Sequence, residues 1–228
     1  MIKTSSEIDS IREACTLGDL TFNYILKQIE EDVSEKQLAS KIRHFIKSHG
    51  AKLSFRPIVA FGENALTIHH RPTDQRLKRP SFVLLDLGTK INDYCSDMTR
   101  TVFFGKPSKK QKTIYQTVLN AQQKAIDYIN DVKNPCGFDV DKSARDFIIK
   151  NGFPSIPHSL GHGIGAKVHE RPRISHKSKN ILLDGMVFTI EPGIYIPELG
   201  GVRIEDTYTL QKGKLIQLTQ SSKALIEI

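Results

Sequence analysis

The spacing of apolar side chains divides the chain into two pairs of helices, each followed by a group of strands. Ile8, Ile11, Cys15, Phe22, Ile25, Leu26 and Ile29 recur at helical intervals and line one stripe of an amphipathic helix from about Ser5 to Glu31. Thr4-Ser5-Ser6-Glu7 precedes them as a capping box, whose two side chains satisfy otherwise orphaned backbone N–H groups. Ser34-Glu35-Lys36-Gln37 opens a second helix in the same way, with Leu38, Ile42, Phe45 and Ile46 inward and a stop near Gly50. Ser108-Lys109-Lys110-Gln111 starts a third helix through Ile114, Val118, Ala121, Ala125 and Ile129, broken by Pro135-Cys136-Gly137. Asp139 is expected to cap a fourth, through Ala144 and Phe147-Ile148 to Asn151-Gly152.

Between the helix pairs the period shortens to that of strands. Leu53-Ser54-Phe55, Ile58 to Phe61 and Ala65 to Ile68 read as strands, with Gly62-Glu63-Asn64 as a turn. Phe82-Val83-Leu84-Leu85 is a buried-strand pattern that ends on Asp86, and Asp97 follows after Gly88 and the turn-prone pair Asn92-Asp93. The return strand continues through Thr101 to Phe104, so a hairpin could bring Asp86 and Asp97 to one end, facing one another. Further strands are expected at Gly185 to Glu191, Val202 to Leu210 and Leu215 to Leu218, with Lys212-Gly213 as a turn. Both halves thus supply helices and strands ending in acids, which points to a duplicated α+β unit.

Composition narrows the class. The chain has 228 residues, 39% apolar and 25% charged, ordinary for a globular protein. No apolar run reaches the roughly eighteen residues of a membrane span, and MIKTSSEIDSIREAC lacks the apolar core of a secretory signal. A cytoplasmic location and no membrane partner are expected. Cys15, Cys95 and Cys136 are odd in number and widely spaced, which fits neither a disulfide framework nor a zinc ribbon. The net charge of +8 comes from scattered residues apart from Lys106 to Lys112, which reads as a loop entering a helix. Without interleaved aromatics this is a solvated basic surface, and no nucleic-acid partner is expected.

The candidate chemistry lies where apolar strands end on acids. A lone aspartate there can simply cap a turn, whereas a buried carboxylate must be paired, neutralised or bound to a cation. His158-Ser159-Leu160-Gly161-His162-Gly163 and His169-Glu170 set histidines beside glycines; Phe188 to Gly193 carries Glu191, and Val202 to Thr207 carries Glu205. Asp86, Asp97, His162, Glu191 and Glu205 make a poor structural zinc site, which prefers thiolates and imidazoles. They suit two hard-to-borderline divalent ions, such as manganese, sharing bridging carboxylates.

The motifs LDLG, SDMTRT, GHGIG with VHE, TIEPG and VRIEDT resemble those of the dinuclear metallopeptidases with the pita-bread (creatinase/aminopeptidase) fold. That family comprises methionine aminopeptidases, Xaa-Pro aminopeptidases, prolidases and the metal-free creatinases, and the resemblance runs from about Lys3 to Leu218. It implies an α+β fold with a curved, mostly antiparallel sheet, helices on its outer face, and two halves related by a pseudo-twofold. It also implies two divalent metal ions per chain, manganese first, with cobalt, iron or zinc accepted by the same ligands. Asp86 would bind one ion, Asp97 and Glu205 would bridge both, and His162 and Glu191 would complete the other. Glu191 would be the general base or proton shuttle, and His69 would hydrogen-bond the substrate or the developing oxyanion. His169 would steady the scissile carbonyl and tetrahedral intermediate, Arg203 would orient the carboxylates, and His158 falls where proline-directed members often have a further active-site histidine. His44, His49, His70 and His176 lack a motif context and are taken as surface or packing residues.

TIEPGIY, VRIEDT, SDMTRT and HHRPTD resemble the proline-directed branch more than the methionine aminopeptidases. The implied activity is hydrolysis of the N-terminal peptide bond of Xaa-Pro peptides by a hydroxide activated between two metals. Methionine aminopeptidase activity and an inactive peptide-binding module are the alternatives, and a homodimer is left open. The chain departs from the pattern at Asp93 (usually glycine), at Ile68 (commonly proline) and at Lys167, an unusual cation close to the site. It starts almost at the catalytic domain, so residues 1–228 are expected to be one catalytic domain without the N-terminal domain of full-length Xaa-Pro enzymes.

Overall fold

The computed structural model describes all residues from Met1 to Ile228. Helices α1 (Ser5–Leu26) and α2 (Glu35–Ser48) start at the expected capping boxes on Thr4 and Ser34. Helix α1 stops five residues before Glu31: the chain turns after Lys27, and Asp32 adopts a left-handed φ of 65°. Ile29 and Val33 still pack inward, now from the connection between the helices.

Strands β1 (Lys52–Leu53) and β2 (Ile58–Phe61) follow. The stretch Ala65 to Ile68 is no strand: Gly62–Leu66 is a 3₁₀ turn and only Ala65 of it is buried. Next come β3 (Ser81–Leu87), β4 (Thr89–Ile91), β5 (Tyr94–Cys95) and β6 (Met98–Phe104). Between β3 and β6 the chain makes a separate small hairpin, β4–β5, whose turn residues Asn92 and Asp93 have φ of 49° and 64°, the geometry of a type I′ turn. Asp86 and Asp97 do lie at the same end of the β3–β6 pair, but the residue directly opposite Asp86 is Thr99.

The second half repeats the plan with α3 (Lys109–Asp131) and α4 (Gly137–Lys150), then β7 (Gly161–Gly163), β8 (Glu170–Ile174) and β9 (Val187–Ile190). Cys136, not Asp139, is the N-cap of α4; Asp139 lies in the first turn, where a negative charge still favours the helix N-terminus. Strands β10 (Gly193–Ile196), β11 (Gly200–Arg203), β12 (Asp206–Gln211) and β13 (Lys214–Gln217) complete the chain. The expected strand Val202 to Leu210 is therefore two strands, broken at Ile204-Glu205. The break lies level with Glu191-Pro192: β9 pairs with β12, Ile190 opposite Asp206, and β10 pairs with β11, Gly193 opposite Arg203. Proline cannot donate to a ladder, and Glu205 instead donates its N–H to Thr99 O at 3.1 Å, crossing to the first half.

All strand pairs between the named strands are antiparallel. One core packs α1 and α2 on β2, β3 and β6 through Phe22, Ile25, Leu38, Ile42, Val59, Val83 and Val102. The larger one packs α3 and α4 on the second sheet through Ile114, Val118, Val140, Ala144, Phe188 and Tyr208. Behind Glu205, the fully buried Arg100 donates to Asp206 Oδ1 and to the carbonyls of Thr99, Glu205, Ser221 and Ser222. No helix is long and apolar enough to cross a membrane.

Candidate metal centre

The strand breaks leave their acids facing one cavity of about 1220 Å³. Asp86, Asp97, His162, Glu191, Glu205, His69, His158, His169 and Arg203 all line it. Asp86 closes β3 and Asp97 precedes β6, while Thr99 and Thr101 follow on the same face of β6, as the two-residue period of a strand requires. His162 sits in β7 between glycines that allow close packing. A Cβ at residue 161 would lie 2.0 Å from Thr189 O, and one at residue 163 would lie 2.2 Å from Arg171 O.

Donor atoms of Asp97, His162 and Glu205 lie within 4.8 Å of one another. His162 Nε2 is 3.6 Å from Asp97 Oδ2 and 3.4 Å from Glu191 Oε1. Its Nδ1 lies 3.2 Å from Gly163 O and donates to it, which leaves a lone pair on Nε2 in the neutral ring. Burial holds the His162 pKa below its ordinary value and so favours that neutral form. A lone pair facing two carboxylates lacks a positive charge between them.

The carboxylates show the same need. Asp86 Oδ1 and Asp97 Oδ1 are buried and accept no hydrogen bond. Burial pushes Asp97 well above the usual carboxylate range, reinforced by the charges of Glu205, Asp86 and Glu191. Glu205 is also raised well above that range by burial, with Glu191 and Asp86 adding to it. Asp86 and Glu191 are raised by burial as well, Asp86 against the pull of Arg203. Converging buried carboxylates, two orphaned oxygens and an imidazole lone pair fit hard-to-borderline divalent cations by donor chemistry. Asp86 stands outside the tightest group, with its Oδ2 held by Arg203 Nη2 at 2.7 Å.

Arg203 organises the centre through residues that the motif reading left without a role. Its Nε donates to Thr99 Oγ1 at 3.1 Å, and Thr99 Oγ1 donates to Glu205 Oε2 at 2.6 Å. Its Nη1 donates to the Tyr195 hydroxyl at 3.1 Å, which in turn donates its O–H to His158 Nε2 at 2.9 Å. His158 Nδ1 then donates to Ser159 O at 2.8 Å, so both ring nitrogens are engaged and burial keeps the ring neutral. Thr189 Oγ1 similarly links His162 N to Glu191 Oε1. Thr99 and Tyr195 lie within SDMTRT and TIEPGIY, and the alternation Asp97, Thr99, Thr101 was the available signal for the first.

His69 and His169 are exposed on the cavity wall, and the His169 ring packs edge-on to His162 with centroids 4.4 Å apart. Lys167 does not line the cavity; its backbone N–H donates to Glu170 Oε1, and Glu170 Oε2 accepts from the buried Lys3. Around the mouth, Arg56, Arg71, Arg171, Arg173, Lys177 and Lys179 are exposed. None of these six forms an ion pair.

The chain is similar to known proteins over nearly its whole length. The model of metallopeptidase family M24 matches residues 9–212. An Xaa-Pro dipeptidase of Pyrococcus furiosus is 40% identical, over 99% of this chain and 65% of its own length. The solved Xaa-Pro dipeptidase of Bacillus anthracis superimposes with a TM-score of 0.95 at 40% identity, over all of this chain and 64% of its own. An X-Pro aminopeptidase of Thermotoga maritima gives a TM-score of 0.95 at 33% identity, over all of this chain and 65% of its own. The chain thus spans just under two thirds of the length of these relatives. It has their pita-bread fold, and it belongs to metallopeptidase family M24.

Proposed function

We propose that this chain is a metal-dependent exopeptidase that hydrolyses the N-terminal peptide bond of Xaa-Pro peptides. The observation that carries the reading is the His162 Nε2 lone pair set against Asp97 and Glu191 beside two unpartnered carboxylate oxygens. Asp86, Asp97, His162, Glu191 and Glu205 would hold two divalent ions, manganese first among them. Bound there, the ions supply activation of a water and polarisation of the scissile carbonyl.

The chain's own groups do the rest. Glu191 has the most accessible side chain of the four acids, 15% exposed against 11% for Asp86 and 6% for Asp97, with Glu205 buried. Its position on the accessible side of the cluster suits it to take a proton from the attacking water and deliver it to the proline nitrogen as that nitrogen leaves. Arg203 fixes Asp86 directly and Glu205 through Thr99, while His158 braces Arg203 through Tyr195. His69 and His169 on the wall donate to the carbonyl oxygen as negative charge develops on it. The unpaired cations at the mouth attract the peptide's carboxylate end. The relatives, an Xaa-Pro dipeptidase and an X-Pro aminopeptidase, support the proline-directed branch.

Residues 1–228 form the catalytic unit in this reading, since both halves contribute to the one cavity. Its place is the cytoplasm, consistent with three free thiols. The test is hydrolysis by metal-stripped protein restored with manganese, using an Xaa-Pro dipeptide, an Xaa-Pro-Yaa tripeptide and Met-Ala-Ser. Cleavage of a proline substrate is expected, and dipeptide against tripeptide separates dipeptidase from aminopeptidase action. Cleavage of Met-Ala-Ser alone would assign the methionine branch instead.

A further inference from the structure

Glu35 is fully buried, 0% exposed, and has no place in the chemistry above. It is the first residue of α2, where the helix N-terminus favours a negative charge. Its oxygens collect five donors. Oε1 accepts from Phe61 N at 2.9 Å and Asn64 Nδ2 at 2.9 Å. Oε2 accepts from His70 Nε2 at 2.8 Å, Thr73 N at 2.8 Å and Thr73 Oγ1 at 2.7 Å. Asn64 also donates to Gln75 Oε1 at 2.8 Å, closing the loop between them. One carboxylate thereby pins the 3₁₀ turn and the loop after it onto α2.

Stability alone does not call for a charge at this position, because a buried ionic cluster is often matched or bettered by apolar packing. What a fully satisfied carboxylate adds is direction, since every donor must point at it. His70 points inward, with its side chain 10% exposed, and its N–H closes a turn onto Thr67 O at 3.0 Å. Its neighbour His69 is exposed and lines the cavity. Both histidines line the cavity, but the His70 ring is tied to Glu35 through Nε2 whereas the exposed His69 ring makes no hydrogen bond to the protein.

We propose that Glu35 and His70 are positioning residues that hold the loop so that His69 projects into the cavity. The proposal rests on the reading of His69 as a donor to the substrate carbonyl. Displacing such a group by about an ångström costs up to ~10²-fold in rate. His70→Phe keeps a ring of similar size and removes the N–H to Glu35, leaving the other four donors in place.

The test pairs kinetics with imidazole ¹H–¹⁵N spectra of wild type, His70→Phe and His70→Gln, the last restoring a donor. In manganese-loaded His70→Phe, kcat on an Xaa-Pro dipeptide should fall at least about tenfold with KM changed less than about threefold. His70→Gln should recover most of the loss. In the metal-free protein the His69 signals should shift or broaden in His70→Phe while those of His44, His49 and His176 stay, and His70→Gln should return them. Should His70→Phe fail to fold, Glu35→Gln, which keeps the shape and sets an amide N–H₂ against donors, should move the same His69 signals. Unmoved His69 signals, or a kcat within twofold of wild type, would overturn the proposal. So would equal losses in His70→Phe and His70→Gln. Wild type inactive on every peptide would instead refute the functional reading, and the spectra would still report whether His69 depends on His70.

Discussion

Asp97 concentrates the electrostatic problem of the site at one residue. Its Oδ1 is buried without a partner, its Oδ2 faces a histidine lone pair, and three acids surround it. Asp97→Ala should therefore abolish both metal binding and activity in a protein that still folds; full activity with two bound ions would remove Asp97 from the centre. Thr99 acts one bond further out, between Arg203 Nε and Glu205 Oε2. Thr99→Val keeps the shape and drops the hydroxyl, and should weaken manganese affinity by roughly 10–100-fold, as for other groups that orient ligands; unchanged affinity in a metal titration would speak against it. His169→Ala should lower kcat on the order of 10²-fold with metal content retained, and unchanged turnover would refute its role. Among the proposed ligands, Asp86 and Glu191 stand out in the sequence because each ends an apolar run, and Asp97, His162 and Glu205 because of the motifs that hold them. Thr99, Tyr195 and His70 do not, because a threonine, tyrosine or histidine has ordinary uses in a strand or loop. Their importance depends on partners that only folding brings near, such as Glu205 for Thr99, 106 residues away.

Secondary-structure elements show a similar division. The capping boxes at Thr4, Ser34 and Ser108 were legible because capping is a local exchange of hydrogen bonds, and all three form. The breaks at Glu191-Pro192 and Ile204-Glu205 were not, because apolar alternation runs straight through Val202, Ile204 and Tyr208. What interrupts it is a competing long-range bond, Glu205 N to Thr99 O. Ala65 to Ile68 shows the opposite case: its apolar run reads as a strand, but Gly62–Leu66 coils into a 3₁₀ turn and no strand pairs with it. The broken strand is held in place by Arg100 and Asp206, which are 1% and 0% exposed in their side chains. Arg100→Met takes the nearest cation from the Asp206 carboxylate, leaving it Lys223 at 3.5 Å and the neutral donors Gln122, Gln217 and Thr219, and leaves the Glu205 carbonyl without its guanidinium donor. The expected cost is about 3–5 kcal/mol, the usual penalty for removing one partner of a buried pair, and urea unfolding of the metal-free variant measures it. A loss under about 1 kcal/mol would show the pair to be dispensable.

Across the whole molecule, the cluster ties stability to pH and to metal. Asp86, Asp97, Glu191 and Glu205 all have folded-state pKa values raised above the ordinary range. A raised carboxylate contributes stability that is fully present below its unfolded pKa and is lost as pH rises through its folded pKa. Metal-free protein should therefore lose the cluster's contribution as pH rises from about 4 upward. Metal-free Glu205→Gln, which cannot ionise, should gain Tm relative to wild type between pH 5 and pH 8; a difference independent of pH would mean that Glu205 is not raised. Manganese should reverse the trend in wild type, because binding displaces the protons that the cluster retains.

In the proposed function, five side chains from two halves of the chain build a metal centre that hydrolyses Xaa-Pro peptides. The most direct measurement is the number of manganese ions bound per chain, titrated into stripped protein while Xaa-Pro hydrolysis is followed in the same samples. Two ions per chain are expected, with activity rising as they bind and both lost in Asp97→Ala. Saturating manganese with no ion bound, or two ions bound with no hydrolysis of any proline peptide, would contradict this function.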